Sequence, residues 1–287
     1  MKRFVERDEP RRGRLERLDY TGAGGVRKYA LVYLPWGYDD DPARRYDVLY
    51  LMHGGGGDPE HWTALCPVQN MLDAAIAAGE AAPMLVVFPT YYAAPPRREP
   101  GTVDADFERH CVLEFQTGEL VQYLMPAVEG TYRTYAPGTD PAALKSARDH
   151  RAFGGFSMGG VNSWCAFRLH LDCFSVFVPL SGDSWALGPL AGGTRAGETA
   201  ALLRDSVREA GFGPEGFRIY AATGTEDMAY TSLTPQVEAM KALGEPFRFG
   251  EDYGQGNLHY LLGEGLDHCY EAVNEYLYNY LPWLFRG

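Results

Sequence analysis

The chain has 287 residues, of which 46% are hydrophobic and 22% charged, enough apolar material for a sizeable core and unlike a disordered chain. Its net charge of −12 repels phosphate backbones and acidic lipid headgroups, so neither nucleic acid nor a membrane surface is an expected partner. The five cysteines (Cys66, Cys111, Cys165, Cys173, Cys269) are odd in number and form no CxxC pair, which argues against a disulfide framework or a zinc site.

The charged start, up to about Arg14, has no apolar segment of the secretory kind and reads as a loose arm; residues 15–287 read as one domain. No apolar run reaches the ~18 residues of a membrane span. The expectation is a cytoplasmic protein, or a secreted one whose leader has been removed. The oligomeric state is left open, a homodimer included.

Leu15–Tyr20 and Arg27–Leu34 read as strands separated by glycine turn residues. Tyr46–Met52 is a nearly continuous apolar run, the pattern of a strand buried on both faces, and it runs into His53-Gly54-Gly55-Gly56-Gly57. Val68–Ala78 reads as helix, Met84–Phe88 as a buried strand, and Phe107–Glu129 as one long helix with Leu113, Leu120, Leu124 and Val128 at helical spacing. Arg151–Gly155 is a short strand leading to Ser157, followed by a helix over Gly160–Leu169. Ser175–Leu180 and Phe217–Ala222 are further strands, Pro235–Leu243 a helix, Phe247–Tyr253 an edge strand and Cys269–Tyr280 the last helix. Alternation of strand and helix predicts a mostly parallel α/β sheet with helices on both faces, with ligands at the carboxyl ends of the strands.

The chemically suggestive segments fall at such ends. Gly155-Phe156-Ser157-Met158-Gly159 matches G-x-S-x-G, in which a sharp strand-to-helix turn lifts a serine clear of the chain. Ser157 is thus the expected nucleophile of an ester hydrolase working through an acyl-enzyme. The oxyanion formed on attack needs backbone donors. The Met158 amide is one; the glycine loop supplies the other, Gly55 first and Gly56 in reserve. Chain order in this arrangement runs serine, acid, histidine. His268, just before the last helix, is favoured as base over His259, and His53 suits hydrogen bonding of its own loop. Asp227, after the strand Phe217–Ala222, is favoured as the acid. Asp183 is its main rival, Glu226 points elsewhere, and Asp267 would need an awkward turn to reach the ring. Trp62, Tyr91, Tyr92, Trp185 and Tyr230 cluster near the strand ends and are the expected substrate-binding aromatics, a slot for a flat acyl group or a platform for sugar. No carboxylate–histidine cluster has metal-ligand spacing, so neither metal nor cofactor is expected.

The residues also resemble a known family. Val32–Tyr38, Met52–Gly57 with Trp62, Glu119-Leu120 with Pro126 and Tyr132, Gly154–Gly160, Leu180-Ser181-Gly182, Gly224–Asp227, Gly265–His268 and the closing Tyr280–Phe285 are similar to the feruloyl and acetylxylan esterases, the esterase D-like branch of the α/β-hydrolases. The likeness covers about residues 15 to 286. It implies an α/β-hydrolase fold, a triad of Ser157, Asp227 and His268, and oxyanion amides at Gly55 and Met158. The implied substrates are hydroxycinnamoyl esters of plant polysaccharide fragments or small phenolic esters. Acetylxylan, S-formylglutathione and siderophore esters are the alternatives, and a silent binding protein on the hydrolase fold is the reading from another class. Two features depart from the family: Leu266-Asp267 before the histidine and Cys269-Tyr270 after it, where many relatives carry other residues, and a long segment from Tyr91 to Arg109 expected to wall the cleft.

Overall fold

A computed structural model describes residues 1–94 and 104–285. The middle of the segment expected to wall the cleft, 95–103, lies outside the described residues. Eight strands form one sheet: β1 (Arg14–Thr21), β2 (Arg27–Leu34), β3 (Asp47–Met52), β4 (Met84–Phe88), β5 (Arg151–Phe156), β6 (Val176–Leu180), β7 (Arg218–Gly224) and β8 (Leu258–Gly263). Their spatial order is β1-β2-β4-β3-β5-β6-β7-β8. β1 and β2 pair antiparallel, as do β2 and β4, and every pairing from β4 through β3 to β8 is parallel. With its flanking helices this is the α/β-hydrolase fold.

The central strands lack polar alternation because both faces are covered. In β3, Val48, Tyr50 and Met52 join one core while Leu49 and Leu51 join the other. The first core is closed by the helices Ala105–Gly118, Met158–Leu169, Ala196–Glu209 and Tyr230–Leu243, through residues such as Phe115, Phe167, Leu203 and Leu233. The second is closed by Val68–Ala77 and Tyr270–Tyr280, through Met71, Leu72, Val273 and Tyr276. All five cysteines are free. Among the described residues no helix is long and apolar enough to cross a membrane.

Three expectations need correction. The long helix over 107–129 is broken into Ala105–Gly118, a π-turn at Leu120–Leu124 and Met125–Thr131. At the break Glu119 leaves helical geometry (φ −127°, ψ −48°), and its buried carboxylate accepts from the Tyr20 hydroxyl and Lys28 Nζ, each at 2.7 Å. An inward carboxylate bound to the β1–β2 hairpin outweighs the helical periodicity around it, and Gly118 offers little resistance. Phe247–Tyr253 forms no strand; it makes a single bridge, Phe249 to Leu258, and the edge of the sheet is β8. Here Asn257 ties the loop instead, its side chain donating to the Pro214 and Pro246 carbonyls at 2.7 and 2.8 Å. The arm before β1 has no regular element but is not loose. The Lys2 amide donates to Asn279, the Phe4 amide to Glu275, and the Phe4 ring packs on Tyr278 at 5.4 Å.

β5 enters the sheet on a buried ion pair. Arg151 Nε donates to Glu129 Oε1 at 2.5 Å, both side chains being 1% exposed. Removing one partner strands the other charge in an apolar interior. Glu129→Ala is therefore expected to lower the free energy of unfolding by about 3–5 kcal/mol in a urea titration. A loss below about 1 kcal/mol, the range of an exposed pair, contradicts this account of how β5 is seated.

Candidate active site

Ser157 makes the corner between β5 and the helix Met158–Leu169 at φ 57°, ψ −115°, a region that L-residues rarely occupy. The chain can turn so tightly only because the residues two positions to either side lack side chains. A Cβ on Gly159 would lie 2.4 Å from the Met52 carbonyl oxygen, and one on Gly155 would lie 2.6 Å from the same atom. The turn leaves the Ser157 hydroxyl at the first turn of a helix, where amides have no intrahelical acceptor and the dipole is positive.

His268 stands in the loop between β8 and the last helix. Its Nε2 lies 2.8 Å from Ser157 Oγ and its Nδ1 2.7 Å from Asp227 Oδ1. A carboxylate can only accept, so Nδ1 carries the proton toward Asp227 and Nε2 is free to accept from the serine hydroxyl. Asp227 follows β7 and is 4% exposed. Burial acts to raise its pKa, but the His268 hydrogen bond and charge, with the Ser181 hydroxyl and the Ala229 amide, hold it below the usual carboxylate value. The structure thus brings together the three residues picked from chain order.

The rivals have other work. Asp183 is buried and spends Oδ1 on Trp185 Nε1 at 3.1 Å and Oδ2 on the Gly192 amide at 2.8 Å. Burial raises its pKa, and its partners fasten the loop after β6. His259 lies buried in β8, stacked on Tyr220 at 4.9 Å, with Nδ1 at 3.0 Å from the Gly250 carbonyl. His53 is buried and pushed down to about 4 by that burial, so it is neutral. Its Nδ1 donates to the Gly54 carbonyl at 2.7 Å, and its Nε2 pairs with Thr90 Oγ1 at 2.8 Å. Glu226 and Asp267 are exposed on the surface.

Of the glycine loop's amides, Gly54 N donates to the Tyr270 hydroxyl at 3.3 Å, Gly56 N to the Tyr92 hydroxyl at 2.7 Å and Gly57 N to the Gly54 carbonyl at 3.1 Å. Among the described residues the Gly55 amide donates to no protein acceptor. Gly55 also lies against Met158, whose Cγ would sit 3.3 Å from a Cβ built on the glycine. Gly56, held in reserve on the sequence, is already engaged.

The aromatic cluster is corrected in three of its five members. Trp62 is 1% exposed and donates its indole N–H to the Met52 carbonyl at 3.0 Å, beneath the site. Tyr91 and Tyr92 are each 3% exposed, with their hydroxyls turned inward onto Glu108. Trp185 is half-buried and borders a small cavity of about 40 Å³ with Val112, Leu113, Val161 and Cys165, of which Val161 lies one helical turn after Ser157. Tyr230 is half-buried at the start of its helix, three residues after Asp227. Sequence reasoning missed Glu108, and also Arg109, whose guanidinium donates to the Trp185 and Ala186 carbonyls at 2.9 and 3.2 Å. A signal existed for the first: Glu108 shares a helical face with Cys111, Val112 and Phe115, all buried, so a carboxylate sits on an apolar stripe. Among the described residues no group of three His, Cys, Asp or Glu side chains could hold a metal ion.

The Esterase family profile matches residues 25–248. Over 278 residues the chain is 36% identical to endo-1,4-beta-xylanase Y of Acetivibrio thermocellus, covering 96% of this chain and 24% of that protein. It is 25% identical over 190 residues to an endo-1,4-beta-xylanase/feruloyl esterase of Xylanibacter ruminicola, covering 63% of this chain and 23% of the relative. The chain thus spans about a quarter of the length of the curated relatives it matches. Among solved structures it resembles a mutant of the feruloyl esterase module from Clostridium thermocellum complexed with sinapinate, at TM-score 0.82 and 35% identity, covering 100% of this chain and 94% of that one.

The close approach at Gly159 sets a direct expectation. Gly159→Ala should displace the end of β3 and with it His53 and the glycine loop, lowering stability by about 1–3 kcal/mol and ester turnover by about 100-fold or more. Thermal melts and aryl acetate hydrolysis measure the two effects, and a variant with wild-type melting and turnover contradicts the packing described.

Proposed function

The chain belongs to the Esterase family and is a carboxylic ester hydrolase, and from that premise we propose that Ser157, His268 and Asp227 are its catalytic triad and hydroxycinnamoyl esters its substrates. The observation that carries the mechanism is the unbroken relay from Ser157 Oγ through both His268 nitrogens to Asp227, at 2.8 and 2.7 Å.

In the proposed reaction the Ser157 oxygen attacks the ester carbonyl while His268 Nε2 takes the hydroxyl proton. The carbonyl oxygen becomes an oxyanion held by the Gly55 and Met158 amides. The imidazolium returns its proton to the departing alcohol oxygen as the ester C–O bond breaks, which leaves the acyl group on the serine. Water, deprotonated by the same histidine, then attacks the acyl-enzyme; collapse releases the carboxylic acid and restores the serine hydroxyl. Asp227, held ionised, keeps the imidazole in the right tautomer and stabilises its charged form.

Two findings support a feruloyl-type acyl group. The structure of the mutant feruloyl esterase module at 35% identity is a complex with sinapinate, itself a hydroxycinnamate. In this chain the half-buried Trp185 borders a small, mostly apolar cavity that reaches Val161, one helical turn after Ser157. The alcohol side is read as a fragment of plant cell-wall polysaccharide or a small phenolic ester, in keeping with the xylanase names of the curated relatives.

Ser157→Ala is expected to stay folded and lose about 10³-fold or more in kcat/KM, together with labelling by a fluorophosphonate. In the same assay Asp227→Asn should lose about 10²- to 10⁴-fold, while Asp183→Asn mainly loses stability; the reverse order removes Asp227 from the triad. Burying one face of a cinnamoyl ring shields roughly 100 Å², worth about 2–3 kcal/mol. Methyl ferulate should thus be favoured over methyl acetate in kcat/KM by about 10- to 100-fold beyond intrinsic reactivity. Equal or faster turnover of the acetate moves the acetyl-esterase reading to first place.

A further inference from the structure

The ester chemistry makes no use of Glu108, yet this carboxylate is fully buried beneath the glycine loop. Its Oε1 accepts from the Tyr92 hydroxyl at 2.6 Å and its Oε2 from the Tyr91 hydroxyl at 2.8 Å. The Tyr92 oxygen in turn accepts the Gly56 amide at 2.7 Å. A Cβ built on Gly55 would lie 3.6 Å from Glu108 Oε1, so carboxylate and loop are in direct contact. Burial pushes both phenols above their ordinary pKa, which keeps them protonated as donors.

Four glycines in a row have no conformational preference strong enough to aim an amide. Aim has to come from outside the loop. The Gly54–Gly55 peptide is planar and trans, so its C=O and N–H point in opposite directions. The carbonyl is held by His53 Nδ1 at 2.7 Å and by the Gly57 amide at 3.1 Å, which leaves the Gly55 N–H facing away from both. The next amide, Gly56, is turned inward by Tyr92. The two tyrosine rings also pack on His53, at 5.0 and 5.7 Å between centroids, so one unit restrains the loop from both sides.

We propose that Tyr92 and Glu108 are positioning residues for ester hydrolysis: Glu108 fixes the Tyr92 hydroxyl, that hydroxyl takes the Gly56 amide, and the loop is thereby held with the Gly55 N–H aimed at the developing oxyanion. The proposal rests on the reading of Gly55 as an oxyanion donor. It assigns to these residues a part in the transition state and none in gripping the acyl group. Helix Ala105–Gly118 is suited to carry such an anchor because Arg109 fastens it at the next residue to the 185–186 backbone.

The test is Tyr92→Phe, which removes one oxygen and keeps the ring. Loss of a whole oxyanion donor costs about 10²–10³ in kcat; a donor left in place but unaimed should cost about 10- to 100-fold. The expected result is that fall in kcat with KM within about twofold. Binding of an aryl boronic acid, whose serine adduct places an oxygen in the donor site, should weaken in step with kcat/KM, and binding of ferulate should not change. Glu108→Gln, which can still accept from Tyr92, should fall between wild type and Tyr92→Phe. Wild-type kcat in Tyr92→Phe, or equal loss of boronic acid and ferulate binding, overturns the proposal. Ser157→Ala, run alongside, separates the two layers. If it remains active, the serine mechanism itself fails; if it is inactive while Tyr92→Phe turns over at full rate, only the positioning role fails.

Discussion

At Ser157 a single residue carries the chain from the central strand into a helix, and it does so at φ 57°. A backbone held there costs of the order of 1–3 kcal/mol, and it persists only because surrounding structure leaves no alternative. β5 is fixed on both sides by parallel neighbours, β3 and β6, and its entry is seated on the Arg151–Glu129 pair. On the other side of the corner the helix packs so close to β3 that the Met52 carbonyl occupies the space a side chain at 159 would need. The strain, the glycines and the burial of β3 and β5 are thus one constraint seen from three sides. Everything the site does follows from where that corner points the hydroxyl.

Several carboxylates are buried in this fold, and their partners divide their roles. Glu119 is bound to Lys28 and Tyr20 and serves the hairpin. Asp183 is consumed by an indole and a backbone amide and serves the loop after β6. Glu108 faces two phenols beneath the glycine loop. Asp227 alone among these faces an imidazole that reaches the Ser157 hydroxyl, and the imidazole side chain is still 22% exposed, within reach of water. Burial by itself therefore does not mark the carboxylate proposed as the catalytic acid. What marks it is a titratable partner with one end in the protein and one in the cleft.

The sheet and the grouping of Ser157, His268 and Asp227 were legible in the sequence because each depends on patterns that survive without tertiary knowledge. An apolar run such as Met84–Phe88, five residues long and closed by Pro89, is too short for a buried helix and reads as a buried strand. The order Ser157, Asp227, His268 follows from how a parallel sheet presents its strand ends. The failures share a cause as well. The helix break at Glu119 depends on Lys28, some ninety positions earlier, and no local periodicity reveals it. Tyr91 and Tyr92 looked like cleft aromatics because they follow β4 at its carboxyl end, and their position was right. Only the partner of their hydroxyls, Glu108, shows that they face inward. The helix Ala196–Glu209 went unassigned in the sequence, although its buried Leu203 and Val207 lie four residues apart.

This arrangement has a consequence for specificity. The proposed nucleophile, acid and base come from the ends of β5, β7 and β8, positions set by the sheet, whereas the proposed acyl cavity is bordered by helix Ala105–Gly118 and the loop that carries Trp185. Such a division would let acyl preference vary while the chemistry stays intact. Here the division is incomplete. Neighbouring residues of that helix point opposite ways, Glu108 to the tyrosines under the glycine loop and Arg109 to the Trp185 and Ala186 carbonyls. A change that reshapes the cavity by shifting this helix also moves the support of the glycine loop, the proposed oxyanion donor. Side chains that only line the cavity, such as Leu113, are free of that link, so they are the positions at which size can change without a penalty in rate.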